Sequence, residues 1–279
     1  MTISTDWLRW INENVQRGCD HNSMVAAMVK AGQDPTQSSM LVMQAQKGLL
    51  QSAPQVEALA PSVNKLSTSN VVKTSDKDVN ITLRLQKPFV LVLDNVLSSD
   101  ECDTLVSLAQ VKLKRSTVVD PATGKEINIA ERSSSGTFFA VNETPFIARL
   151  DQRIGEIMGR PVENGEGLQI LHYRKGGEYR PHFDYFPPDD PGSQAHLKRG
   201  GQRVSTMVIY LSAVEDGGGT NFPEIGLTVI PKKGSAVYFE YCNQAGAIDP
   251  LTLHAGMPVL AGEKWIATKW VRQSRYGAA

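Results

Sequence analysis

The chain has 279 residues, 41% hydrophobic and 21% charged, which is material for one sizeable core with an appendage. Its 29 basic and 29 acidic side chains cancel, so no whole-chain field favours nucleic acid or a membrane surface as a partner. Apolar runs such as MVAAMV at 24–29 are far too short to span a bilayer, and the opening MTISTDWLRW lacks the basic-then-apolar pattern of a secretory signal.

Three segments at the start predict short helices. TDWLRWINENVQRG opens at Ser4 or Thr5, sets Trp7, Leu8, Ile11 and Val15 on one face, and stops at Gly18. NSMVAAMVKAG repeats the scheme with Ser23 as cap and Gly32 after the last turn. The third starts at DPTQ, with Pro35 in the first turn, and runs to about Leu50. Residues 1–50 are thus expected as a helical extension. Residues 51–78 mix Pro, Ser, Ala and charge without a period and are expected as a linker.

From residue 79 onward the texture is that of a β-rich domain, expected to run to 279. VNITLRLQ alternates and FVLVLDNVL is a β-prone run. A helix follows, with Ser98 and Glu101 at capping-box spacing. A second carries Thr144 as cap, Pro145 at its start and a stripe of Phe146, Ile147, Leu150, Ile154 and Ile157. The remainder predicts strands in LQILHY, EYRPHFDYF, VSTMVIYLS, SAVYFEY, LTLHAGMPV and KWIATKWVR, separated by Gly- and Pro-rich turns. Many short strands with such turns, fed by two helices, predict an α+β fold with a sandwich or barrel core. Cys19, Cys102 and Cys242 are odd in number and lack CxxC spacing, against a disulfide framework or a thiolate zinc site, so a reduced cytoplasm is the expected compartment.

Candidate chemistry sits in YRPHFDYF at 179–186. On a strand, His182 and Asp184 would project from one face. A third ligand would be a histidine from another strand. His172 points away from its neighbour Tyr173 and reads as structural. His196, in a polar loop, reads as solvated. His254, near the end of a strand and before a Gly-Met-Pro turn, can reach the same mouth. Two histidines and a carboxylate form the facial triad of non-haem Fe(II) oxygenases. Ten residues on, Lys264 opens the next strand; a buried lysine facing such a pocket calls for an anionic partner, and a dicarboxylic cosubstrate would supply one.

Together RSSSGTFF, QILHYRKGGEYRPHFDYF, GGQRVSTMVIYLSAVEDGGGTNFP, KKGSAVYFEY and TLHAGMPVLAGEKWIATKW resemble, in order over about residues 88–275, the prolyl 4-hydroxylase family of 2-oxoglutarate- and Fe(II)-dependent dioxygenases. The resemblance implies a double-stranded β-helix, a distorted jelly roll with supporting helices. It implies that His182, Asp184 and His254 hold iron, and that Lys264 pairs with the distal carboxylate of 2-oxoglutarate, with Tyr173 and Thr220 bonding the same end. On the substrate side it implies Tyr179, Arg203 and Trp270, with Glu166 and Arg132. The products would be a hydroxylated substrate, succinate and CO2, with L-ascorbate as reductant. Related halogenases carry a small residue in place of the carboxylate, so Asp184 implies hydroxylation. Collagen-type animal members carry a separate peptide-binding domain and an endoplasmic-reticulum signal; here only the helical segment precedes the core. The expectation is therefore a soluble, bacterial-type enzyme acting on a proline-containing peptide or protein. The alternatives are a free amino acid or other small molecule as substrate, and a non-catalytic metal-binding or interaction module.

Overall fold

The computed structural model describes residues 5–47, 68–120, 122–127, 132–187, 190–241 and 248–277. The chain divides into two compact units, residues 1–58 and 59–279.

The first unit holds α1 (Thr5–Gln16), α2 (His21–Lys30) and α3 (Pro35–Gln46). They close around buried Ile11, Met24, Met28, Leu41, Val42 and Ala45, with Trp7, Leu8 and Val15 packed against that cluster. The cap of α2 differs from expectation. Asp20, not Ser23, sits before the first turn and accepts the backbone N–H of Asn22 and Ser23, because its carboxylate reaches two orphan donors at once. Asp34 caps α3 in the same way through Gln37 N–H. The expected end of α3 near residue 50 lies outside the described residues.

The second unit begins with β1 (Val71–Lys73), β2 (Asp78–Gln86), β3 (Phe89–Asp94) and α4 (Ser99–Gln110). Then come β4 (Lys114–Arg115), β5 (Val118–Val119), β6 (Glu126–Ile127), β7 (Ser135–Phe139) and α5 (Pro145–Met158). β8 (Leu168–Tyr173), β9 (Tyr179–His182), α6 (Ser193–Leu197) and β10 (Arg203–Tyr210) lead into β11 (Asp216–Gly217), β12 (Thr220–Phe222) and β13 (Leu227–Val229). The chain finishes with β14 (Ala236–Glu240), β15 (His254–Gly256), β16 (Val259–Ala261) and β17 (Lys264–Arg272). β1 falls inside the stretch expected as linker: it pairs with β2 in the register Val71 to Asn80, so strand structure starts before residue 79. Residues 51–67 of that stretch lie outside the described residues.

Two sheets carry the fold. The major one has nine strands in the order β1-β2-β3-β14-β10-β17-β8-β7-β4, and the minor one has four, β13-β12-β15-β9. Alternation along each major strand feeds two cores. From β14, Ala236 and Tyr238 enter the cluster that includes Leu105 of α4 and Leu150, Ile154 and Ile157 of α5. Val237 and Phe239 turn the other way and meet Phe222 and Val229 of the minor sheet. Full burial of such side chains contributes about 1.5–3 kcal/mol each. Helices cover one face of the major sheet and the minor sheet covers the other, the α+β jelly roll the strand pattern implies.

Both helices end as their sequences require. Ser98 Oγ accepts Glu101 N–H at 3.1 Å while Glu101 Oε2 accepts Ser98 N–H at 2.9 Å, the reciprocal capping box. Thr144 caps α5, and Gly159 closes it at φ +61°, a conformation that favours glycine.

Candidate active site

β9 stops at His182, and Asp184 lies in a bend rather than on the strand. The single long strand expected over EYRPHFDYF does not form because side chains capture the backbone beyond His182. Gln202 accepts Phe186 N–H at 2.8 Å and donates to Phe186 C=O at 2.6 Å, and Arg203 Nη1 donates to Asp184 C=O at 3.1 Å. The bend nevertheless turns the carboxylate back: Asp184 Oδ1 lies 3.5 Å from His182 Nε2, and Oδ2 lies 3.4 Å from His254 Nε2. His254 opens β15 instead of ending a strand, and is the direct cross-strand partner of His182. One ligand atom from each of the three residues lies within 4.8 Å of the others.

The donor chemistry of this cluster fits a divalent metal. His182 Nδ1 bonds Arg180 C=O at 2.8 Å and His254 Nδ1 bonds Thr252 C=O at 3.0 Å. A carbonyl only accepts, so both rings carry hydrogen on Nδ1 and, when neutral, aim an Nε2 lone pair at the carboxylate. Burial, reinforced by His254, pushes the His182 ring below its ordinary range. Burial would raise Asp184, but His254 and His182 hold its carboxyl well below the usual range. Once both rings are neutral, three acceptors converge without a proton between them, the arrangement a cation resolves, and two nitrogens with one oxygen leave coordination positions open.

A narrow cleft of about 50 Å³ opens on this cluster, lined among others by Arg132, Tyr173, Tyr179, Thr220, Lys264, Thr268 and Trp270. Lys264 is 2% exposed, its Nζ lies 5.5 Å from the centre of the Tyr173 ring, and among the described residues it meets no carboxylate. Burial alone lowers its ammonium to about 8. Tyr173 is its cross-strand partner on β8. The Tyr210 hydroxyl donates to Thr220 Oγ1 at 2.8 Å, which leaves the Thr220 hydrogen for a ligand. Lys269, the other lysine of β17, faces the helices and pairs with Asp151 at 2.7 Å, so strand alternation removes it from the cleft.

Of the residues expected on the substrate side, Tyr179 stacks on His182 at 3.6 Å between ring centroids, and the Arg132 guanidinium lies 4.9 Å from the Tyr179 ring. Arg203 lies 3.9 Å above the Trp270 ring and bonds Glu166 through both forks, at 2.6 and 2.9 Å. Arg203 and Glu166 thus back the cleft wall rather than line it. Burial would raise Glu166, yet Arg203 and Arg272 together hold it below its ordinary range. Among the described residues, the buried Trp270 Nε1 has no hydrogen-bond partner.

Sequence reasoning missed three participants. Arg272, at 2% exposure, gives Glu166 a second guanidinium at 2.6 Å; its alternation with Trp270 and Lys264 on one strand was the available signal. Thr206 and Tyr241 both donate to Asp184, and no motif marks them. Burial, then the Asp184 charge, holds the Tyr241 hydroxyl well above its ordinary range. His196 is not simply solvated: it stacks on Phe186 at 5.0 Å and its Nε2 donates to Gly124 C=O at 2.9 Å, joining α6 to the β5–β6 turn. His172 is structural as expected, stacked on Trp265 and bonded to Glu263 at 2.7 Å.

The geometry defines a jelly roll bearing a two-histidine, one-carboxylate cluster suited to a metal, beside a buried lysine that meets no carboxylate among the described residues. Residues 168–272 match the family described as the 2OG-Fe(II) oxygenase superfamily. Over 209 residues, 68% of this chain and 71% of the relative, the sequence is 39% identical to probable prolyl 4-hydroxylase 3 of Arabidopsis thaliana. It is 42% identical to prolyl 4-hydroxylase 1 of the same plant over 67% of this chain and 69% of that protein. The viral collagen prolyl hydroxylase vCPH of Paramecium bursaria Chlorella virus-1, solved with 2-oxoglutarate, superposes with a TM-score of 0.52 at 30% identity, over 66% of this chain and 95% of vCPH. The chain belongs to the prolyl 4-hydroxylase family of 2-oxoglutarate- and Fe(II)-dependent oxygenases. It is an enzyme of that class, with Fe(II) and 2-oxoglutarate as its cofactor and cosubstrate.

Proposed function

We propose that the enzyme hydroxylates proline within a peptide or protein, with conversion of 2-oxoglutarate and dioxygen to succinate and CO2. The observation that carries this is one cleft holding both the His182–Asp184–His254 cluster and the uncompensated Lys264. When bound, iron supplies the oxidising chemistry, with L-ascorbate proposed as the reductant that keeps it ferrous. His182, Asp184 and His254 would hold the metal. Lys264 neutralises the distal carboxylate of 2-oxoglutarate, and Tyr173 and Thr220 hydrogen-bond it. Tyr179 and Trp270 form apolar walls that screen the reacting carbon from water, and the free Trp270 N–H donates to a substrate carbonyl. Glu166 fixes Arg203 flat on Trp270, so the wall is preformed. The free thiols of Cys19 and Cys102 support a reducing compartment, for which the cytoplasm is our proposal. Cys242 lies outside the described residues. Among the described residues, no helix is long and apolar enough to cross a membrane.

A second reading, a free amino acid as substrate, rests on Arg132. It is 6% exposed, lines the cleft and meets no carboxylate among the described residues, so it could take a free carboxylate. Succinate release by the Fe(II)-loaded protein with 2-oxoglutarate and ascorbate distinguishes these readings. Stimulation by a proline-rich peptide, with one oxygen added to it, supports the peptidyl reading. Stimulation by free proline alone transfers the role to small-molecule metabolism, and no succinate under any condition overturns catalysis.

A further inference from the structure

The two oxygens of the Asp184 carboxylate have unlike surroundings. Oδ2 accepts Thr206 Oγ1–H at 2.8 Å and the Tyr241 hydroxyl at 3.2 Å. Oδ1 faces only the lone pair of His182 Nε2 at 3.5 Å among the described residues. One carboxylate oxygen offers about two lone-pair positions, so the two hydroxyls fill Oδ2 and leave Oδ1 open. The neutral His254 ring gives its single N–H to Thr252 C=O, so in that state its Nε2, 3.4 Å from Oδ2, has no hydrogen to give.

The two hydroxyls come from a rigid place. Thr206 lies mid-strand on β10, opposite Phe239 of β14, and Tyr241 directly follows β14. Both are fully buried. Tyr241 is held further by its N–H bond to Val204 C=O at 3.0 Å and by edge contacts with Phe239 and Tyr185. Asp184, by contrast, sits in an irregular bend with no strand partner. A ligand on such a bend has no backbone reason to keep one carboxylate orientation, and the two hydroxyls of the major sheet supply one.

We propose that Tyr241 and Thr206 are positioning residues that hold Asp184 through Oδ2 and present Oδ1 alone to the metal. The inference rests on the metal site described above. A metal held by the cluster would then take a single oxygen from Asp184 and would keep other positions free. Loss of such an outer partner lowers metal affinity about 10–100-fold.

The test titrates Mn(II) into the metal-free full-length protein and follows free ion by EPR, alongside thermal unfolding of the metal-free form. Tyr241→Phe keeps the ring and removes only the hydroxyl; it should bind Mn(II) about 10–100-fold more weakly with unaltered unfolding. Thr206→Val should weaken binding in the same direction, and Thr206→Ser should restore it. Binding by Tyr241→Phe and Thr206→Val as tight as wild type, or tighter, would overturn the assignment, because freeing Oδ2 would then cost the metal nothing. A wild-type protein that takes up no Mn(II) overturns the metal site itself and this inference with it, an outcome distinct from parity between variant and wild type.

Discussion

Lys264→Met separates two roles for a buried lysine, because it moves stability and cosubstrate affinity in opposite directions. Burial brings the Lys264 ammonium from 10.5 to about 8. At about 1.36 kcal/mol per pH unit, holding the charge inside costs the ligand-free protein roughly 3 kcal/mol near neutral pH. Methionine keeps the unbranched stem and removes the charge, so the metal-free, ligand-free variant should be more stable by up to ~3 kcal/mol. The pH dependence follows from the depressed value in the folded state. Below about 8 the lysine is charged folded and unfolded, and the whole cost is present. Between about 8 and 10.5 the unfolded chain keeps the proton the folded one has shed, so wild-type stability should rise with pH through that window and the variant's advantage should fade. Cosubstrate binding should respond the other way. A charge-assisted hydrogen bond contributes about 1.5–3 kcal/mol, so the Kd for 2-oxoglutarate should rise about 10–150-fold in the variant. In the wild type that affinity should fall roughly tenfold per pH unit above about 8, with proton uptake on binding. Denaturant unfolding at neutral and alkaline pH, and calorimetric titration of 2-oxoglutarate into Mn(II)-loaded protein in two buffers, measure both. A variant that is less stable than wild type and binds 2-oxoglutarate unchanged would refute the reasoning. It would make Lys264 structural and leave Arg132 as the remaining cation lining the cleft.

His182→Ala should abolish metal uptake and succinate production while near-UV circular dichroism stays native, since the ring sits at the rim of the minor sheet with a side chain 17% exposed; turnover in that variant would remove the metal site. Trp270→Phe deletes the unpartnered indole N–H and keeps an aromatic wall, so KM for a proline peptide should rise about 2–12-fold with KM for 2-oxoglutarate unaltered. An unchanged peptide KM would mean that the indole only fills space. Hydrogen exchange at 122–127 and 190–200, the turn and helix that His196 joins, should slow when a confirmed substrate binds, and unaltered exchange in both would rule them out as walls of the substrate path.

Much of this protein was legible from local signals. Caps, stripes and alternation marked α4, α5 and β17, because capping and side-chain period are decided within a few residues. His182, Asp184, His254 and Lys264 stood out because the residue types that bind metals and anions are few and recur in one order along the chain. Tertiary structure decided how they meet. Asp184 reaches the histidines through a bend made by Gln202 and Arg203, not through the shared strand face that an i, i+2 spacing predicts. Lys264 and Lys269 read alike in KWIATKW, and only the layering of helices on one side of β17 and the cleft on the other gives one a carboxylate partner and leaves the other without. Arg272, Thr206 and Tyr241 carried no motif, since their roles come from what lies across the sheet rather than beside them in the chain. Sequence by itself determined which chemistry the chain could perform, through residue types and spacing. The packing of two sheets determined which oxygen, which lysine and which hydroxyl take part, because distances of about 3 Å between residues far apart in sequence are set only when the core closes.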